Sequence, residues 1–285
     1  MTLTVADVFP EAERGERAWI SLSWGSRKEN PEQVAARILP TLELLRDRFA
    51  APSARWQITV GKTYDLQKSR PVPQDAAVLA GFIESPRQRD LPDADVSTGT
   101  LKAKFALDAG EGPGAGEDPA AGKLFGFEVE AGYSGPSMRN AFTLRLPDRF
   151  VTGTPGQLAV WLQQLVRIWQ PETATLESLE TLHAVWKRRK ELGVRRQDAT
   201  LGYMNWFSLT GYGRPPFPLN ADVSAFPDGT LICARKWTAG AVSDLYAELQ
   251  VMGMMHDVPA VQMTTPPVAD NDEPHTGVKE HRGGN

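Results

Sequence analysis

Cysteine is almost missing: the 285-residue chain has one, Cys233, so no internal disulfide can form and a reducing compartment is expected. Histidine is scarce as well. Its four copies, His183, His256, His275 and His281, are scattered, and no HExxH, CxxC or EF-hand loop occurs, so neither a metal nor a cofactor is expected. No apolar run approaches the roughly eighteen residues of a membrane helix, and MTLTVADVFPEAERGERAW lacks the basic and apolar regions of an export signal. The expectation is a cytoplasmic protein with no membrane partner. An excess of positive charge is lacking too: 31 Lys and Arg against 35 Asp and Glu leave a net charge of -4, which argues against direct nucleic-acid binding.

What is present is a globular composition, 41% hydrophobic and 23% charged, enough for a sizeable core. RAWISLSW (17–24) alternates like a half-buried strand. The helix that follows is marked by Asn30 as cap, Pro31 at the first position and Gln33 at the capping-box spacing. Val34, Ile38, Leu42, Leu45 and Phe49 share one face, and Pro40 predicts a kink or a break at Leu39. RWQITV (55–60) reads as a strand and PQDAAVLAGFIES as a shorter helix. LKAKFAL, KLFGFEVEAGY and AFTLRL are strand-like, with residues 107–122 between the first two read as an exposed loop.

Near residue 150 the pattern restarts. Thr154, Pro155 and Gln157 repeat the first helix entrance, and Leu158, Trp161, Leu162, Leu165 and Ile168 or Trp169 form the buried stripe. A basic helix closed by Gly193, two strands in GYMNWFS and TLICA, and a helix ended by Gly253 complete the chain. The fold expected is α+β, with two similarly built lobes of mostly antiparallel sheet packed on helices. They span 1–150 and 151–258, followed by a disordered tail at 259–285.

Catalytic constellations are absent from the sequence. GYSGP (132–136) begins like a nucleophile elbow but has Pro136 where a glycine is needed. The glycine-rich GEGPGAGEDPAAGK has acids in a phosphate position and no Ser or Thr after Lys123. Cys233 reads as a small buried hydrophobe, and KRRKELGVRR (187–196) as a solvated helix end. Among the acids, Asp90, Asp93 and Asp95 cluster in one loop, and Glu128 and Glu130 project to one side of a strand. These acids suit a solvent face or a partner surface. An aromatic cleft of Trp206, Tyr212 and Phe217 would suit a small-molecule hydrolase or transferase.

Three segments in order carry a resemblance: WISLSWGSRKENPEQVAARILPTLELL, LGYMNWFS and DGTLICARKW followed by a closing helix. Together they resemble the immunity protein 52 family of bacterial polymorphic toxin systems. The matching positions are Trp24, Gly25 and Arg27, then Gly202, Tyr203, Met204 and Trp206, then Gly229, Thr230, Leu231 and Ile232. The resemblance implies a cytoplasmic α+β protein that binds and neutralises a cognate toxin, often a nuclease delivered by a secretion apparatus such as type VI, without catalytic residues of its own. Toxin contacts are expected from exposed acids, with Glu128, Glu130, Asp222 and Asp228 as candidates, while the motif residues are expected to be structural. The alternatives are the cleft enzyme and an adaptor of the secretion machinery.

Overall fold

Capping boxes at Asn30 and Thr154 open the two longest helices. Asn30 Oδ1 accepts from Gln33 N–H at 2.8 Å and Gln33 Oε1 accepts from Asn30 N–H at 3.0 Å. Thr154 and Gln157 do the same at 3.3 and 2.9 Å, so each pair satisfies two amides that the first turn leaves free. The protein is represented by a computed structural model that describes residues 3–9, 18–46, 55–59, 69–83, 101–108, 126–132, 139–146, 152–194, 200–215 and 217–255.

In chain order the elements of the amino-terminal half are α1 (Val5–Val8), β1 (Ala18–Trp24), α2 (Pro31–Arg46), β2 (Arg55–Thr59), β3 (Ser69–Pro71), α3 (Ala76–Ala80), β4 (Leu101–Asp108), β5 (Gly126–Ala131) and β6 (Asn140–Leu146). The second half adds α4 (Pro155–Trp169), β7 (Thr173–Glu177), α5 (Leu179–Glu191), β8 (Met204–Ser208), α6 (Leu209–Tyr212), β9 (Ala221–Ala225), β10 (Gly229–Ala234) and α7 (Ala239–Val251). The fold is α+β.

The described strands all join one ten-stranded sheet in the order β3-β2-β4-β5-β6-β1-β7-β8-β10-β9, and every pairing among them is antiparallel. The two sheets expected for two lobes are therefore one. Strands of the first half form one block and strands of the second half another, fused where β1 pairs with β7 from Trp19 opposite Glu177 to Ser23 opposite Thr173.

Alternation along β1, β5 and β6 gives the first block one apolar face. An aromatic row crosses it: Phe105 stacks on Phe127 at 4.6 Å, Phe127 meets Phe142 at 5.2 Å, and Phe142 meets Trp169 of α4 at 5.3 Å. Trp169 Nε1 donates to Thr41 Oγ1 at 3.0 Å, which ties α4 to α2 on this face. In the second block β7, β8 and β10 are buried nearly throughout, as strands covered on both sides must be, with α5 packed on α7 and α7 reaching β10.

Several expectations are corrected. Pro40 does not break α2, which runs from Pro31 to Arg46: Val34, Ile38 and Thr41, Leu42, Leu45 on either side of it are all buried, so tertiary packing holds both segments in one helix. Between GYMNWFS and TLICA, where the sequence reading places no element, the chain is not all loop. It contains α6 and then β9, which pairs along β10 through the turn Phe226–Gly229. Phe49, Asp90, Asp93, Asp95, most of the 107–122 loop and the 259–285 tail lie outside the described residues.

Candidate functional site

The first motif, Trp24-Gly25-Arg27, leaves the end of β1 and builds the junction between the sheet and α4. Arg27 is fully buried. Its Nη2 donates to Trp169 O at 3.0 Å and Nη1 to Gln170 O at 3.4 Å, so the cation meets the negative end of the α4 dipole. Its Cζ lies 4.7 Å from the Trp24 ring centre, and Nε stands 3.3 Å from Glu29 Oε2. Burial pulls the Arg27 guanidinium down to about 10, with Glu29 opposing that shift. Arg37 completes the cluster: Nε donates to Glu29 Oε1 at 3.0 Å and Nη1 donates to Ile168 O. Two arginines and one carboxylate thus neutralise the last carbonyls of one helix.

Gly25 leaves room for the Glu172 carboxylate, which a side chain here would displace. A Cβ there would stand 2.8 Å from Glu172 Oε1. Burial pushes the Glu172 carboxyl up, against a hydrogen bond from Gly25 and the charges of Arg139 and Arg27. Asn140 Nδ2 donates to Gly25 O, closing the same corner from β6.

The second motif builds the opposite end of the sheet. A Cβ on Gly202 would lie 2.0 Å from Leu176 O. The buried Asn205 accepts from Gly202 N–H at 2.7 Å and donates back to Gly202 O at 2.8 Å. Tyr203 N–H donates to Leu176 O at 2.7 Å, its hydroxyl lies 3.1 Å from Ser178 Oγ, and its ring packs against Phe9 at 5.0 Å and Trp237 at 5.5 Å, which stack on each other at 5.4 Å. Met204 lies buried opposite Leu176 and Cys233. Phe9, Asn205 and Trp237 carry no sequence signal of their own; they are found only because the fold closes on Tyr203.

Gly229 and Thr230 open β10. A Cβ at Gly229 would stand 2.4 Å from Trp206 Cζ2 and 2.5 Å from Phe207 O, so the indole and the β8 backbone fill the space a side chain would need. Leu231 and Ile232 continue the buried strand. The motif residues form frame corners at two ends of the sheet.

The aromatic cleft does not form. Trp206 and Phe207 are neighbours on β8 and point to opposite faces; Trp206 packs toward Phe226 at 5.9 Å, whereas Tyr212 packs on Phe207 at 5.0 Å. Phe217 is exposed and shares no ring contact with either among the described residues. Cys233 is half-buried, and burial together with Asp222 pushes its thiol up to about 11, away from nucleophilic use. In the basic run, Arg188 pairs with Asp244 at 2.7 Å and Glu191 at 3.2 Å, and the buried Arg189 stands 5.5 Å over Tyr246, so two of its six basic residues serve the frame.

The acids separate into two places. Glu128 and Glu130 lie on the polar face of the first block; Glu128 Oε1 pairs with Lys104 Nζ on β4 at 3.0 Å. The same face carries Ser21, Ser23, Thr143 and Arg145, all at least partly exposed, and Trp19, whose Nε1 donates to Glu177 Oε1 at 2.8 Å. Asp222 stands on β9, paired with Arg235 at 3.1 Å, and Asp228 in the adjoining turn. Counting along the strand order, β9 is six ladders from β5, roughly 29 Å at the usual spacing, so the four acids form no single patch.

No protein family and no curated protein sequence matches the chain. Among solved structures it is similar to the Pseudomonas aeruginosa T6SS protein PA0821, at 12% identity and a TM-score of 0.46, over 84% of this chain and 76% of that one. Among the described residues no helix is long and apolar enough to cross a membrane, and no group of His, Cys, Asp and Glu is arranged to hold a metal ion.

Proposed function

We propose that the protein is a cytoplasmic immunity protein that binds and neutralises a cognate secreted antibacterial toxin by stoichiometric association, without catalysis. The observation that carries the reading is the division of labour among its residues. Every matched motif residue is spent on the frame, while the first block presents a polar sheet face held rigid by the aromatic row behind it. Such a face presents fixed side chains to a partner at low entropic cost. A nuclease toxin fits the net charge of -4, since a basic substrate groove would be drawn toward an acidic protein.

The test is co-expression with the product of the adjacent reading frame. Protection of growth and co-purification as a complex support the reading. Toxicity undiminished by the protein, with no complex, overturns it. Glu130→Lys and Glu128→Lys should weaken the complex about tenfold or more while the fold stays intact; Asp228→Lys reports whether the far edge also takes part.

A further inference from the structure

Strand β9 ends the sheet and, among the described residues, pairs on one side only. Phe226 N–H donates to Gly229 O at 2.8 Å and Arg235 N–H donates to Asn220 O at 3.2 Å, so the even-numbered residues of this strand exchange bonds with β10. In an antiparallel ladder the bonded residues alternate, so the backbone groups of Ala221, Val223 and Ala225 point away from the sheet. Ala221 is only 3% exposed, which leaves Val223 and Ala225 as the open positions. Leu219, next in that row, is already closed: its N–H donates to the Glu248 carboxylate and its carbonyl accepts from Arg235 Nη1 at 2.8 Å. An edge is ordinarily blunted by uncompensated charge. The charge on β9 is Asp222, and Arg235 pairs with it. Immediately before the strand, Phe217 and Leu219 are 73% and 79% exposed.

We propose that this edge pairs antiparallel with the same edge of a second copy across a two-fold axis, continuing the sheet through two protomers. The open groups fix the register, because the two-fold that uses both sets Val223 opposite the partner's Ala225. Ser224 then meets the partner's Ser224 on the axis, and no like charges face each other. The covered Ala221 comes opposite the partner's Pro227, which has no N–H to leave unpaired. Leu219 and Phe217 run on beside the partner's turn, which shields apolar surface that otherwise faces water. A ladder this short belongs at the small end of interfaces, with a dissociation constant in roughly the micromolar range.

Sedimentation equilibrium of the full chain between ~1 and ~100 µM should show a reversible dimer. Val223→Pro removes an N–H that points outward and spares the bonds to β10, so it should fold normally and dissociate about thirtyfold more readily for two lost hydrogen bonds of ordinary strength. In a Cys233→Ala background, Ser224→Cys should form an interprotomer disulfide under mild oxidation, because directly opposed residues at a non-bonded position stand about 4.5 Å apart. Asp244→Cys, exposed on α7, should not. A monomer across the whole range overturns the proposal. So does a dimer in which Ser224→Cys cross-links no faster than Asp244→Cys, and this comparison decides the matter even if Val223→Pro does not fold.

Discussion

Removing Arg27 is the sharpest test of how the frame is held. In Arg27→Ala the carbonyls of Trp169 and Gln170 lose their charged donors, the Trp24 ring loses its cation, and Glu29 loses one of two partners. Breaking a buried ion pair by removing one side costs about 3 to 5 kcal/mol, because the remaining charge is left in a medium that solvates it poorly. Here the low end applies: Arg37 still holds Glu29 at 3.0 Å, so the carboxylate is not abandoned. The expected loss is therefore about 3 kcal/mol, read as a fall in the urea midpoint at unchanged slope. Arg27→Lys should lose about half as much, since an ammonium keeps the charge but cannot bridge the helix end and Glu29 while stacking on Trp24. A loss below about 1 kcal/mol for Arg27→Ala, or equal losses for both variants, would refute the account of the corner as a charge-neutralised helix end.

Glu177 offers a pH test. Burial raises its carboxyl, against hydrogen bonds from Trp19 and Thr175. A carboxyl with a raised folded-state pKa contributes stability that is fully present below its unfolded pKa and is lost as pH rises through the folded one. Glu177→Gln keeps the acceptor for Trp19 and removes the buried charge, so it should be stabilising at neutral pH by on the order of 1 kcal/mol and nearly neutral in acid; urea titrations at the two pH values that show no such difference would contradict the shift. Cys233, with its thiol near 11, carries about a thousandth as thiolate at pH 8, and a disulfide reagent should label it roughly a hundredfold more slowly in the folded protein than in urea. Equal rates would show that the strand does not bury the sulfur.

How far the fold could be read in advance depended on whether the deciding interaction was local. The entrances of α2 and α4 were legible because Asn30 with Gln33 and Thr154 with Gln157 each complete their bonds within one turn. Alternation placed Phe127 and Val129 inward and Glu128 and Glu130 outward for the same reason. β9 was hidden: Ala-Asp-Val-Ser-Ala has little intrinsic strand preference, and it is extended because β10 supplies the ladder. The joining of β1 to β7 was hidden as well, since it brings Trp19 to Glu177 across 158 positions of chain. Aromatic content misled where direction mattered, because Trp206 and Phe207 sit side by side in sequence and on opposite faces of the sheet.

The candidate site follows the same rule. Trp24, Gly25, Arg27, Gly202 and Gly229 stand out in the sequence, yet each is fixed by what it packs against: α4, the Glu172 carboxylate, Leu176 O or the Trp206 indole. Glu29, Arg37 and Glu172, which complete the first corner, gave no signal, because a charged residue in or beside a helix reads as solvated until its partners are in place. For the face proposed for recognition the opposite is expected: Glu128 is part-exposed and pairs with Lys104 on the next strand, so a change there should leave the frame in place, and sequence pattern carries little record of it. The two classes therefore separate by experiment. A change at a frame corner should lower partner binding only as far as it lowers the folded fraction, whereas a change on the polar face should lower binding with the melting transition unmoved.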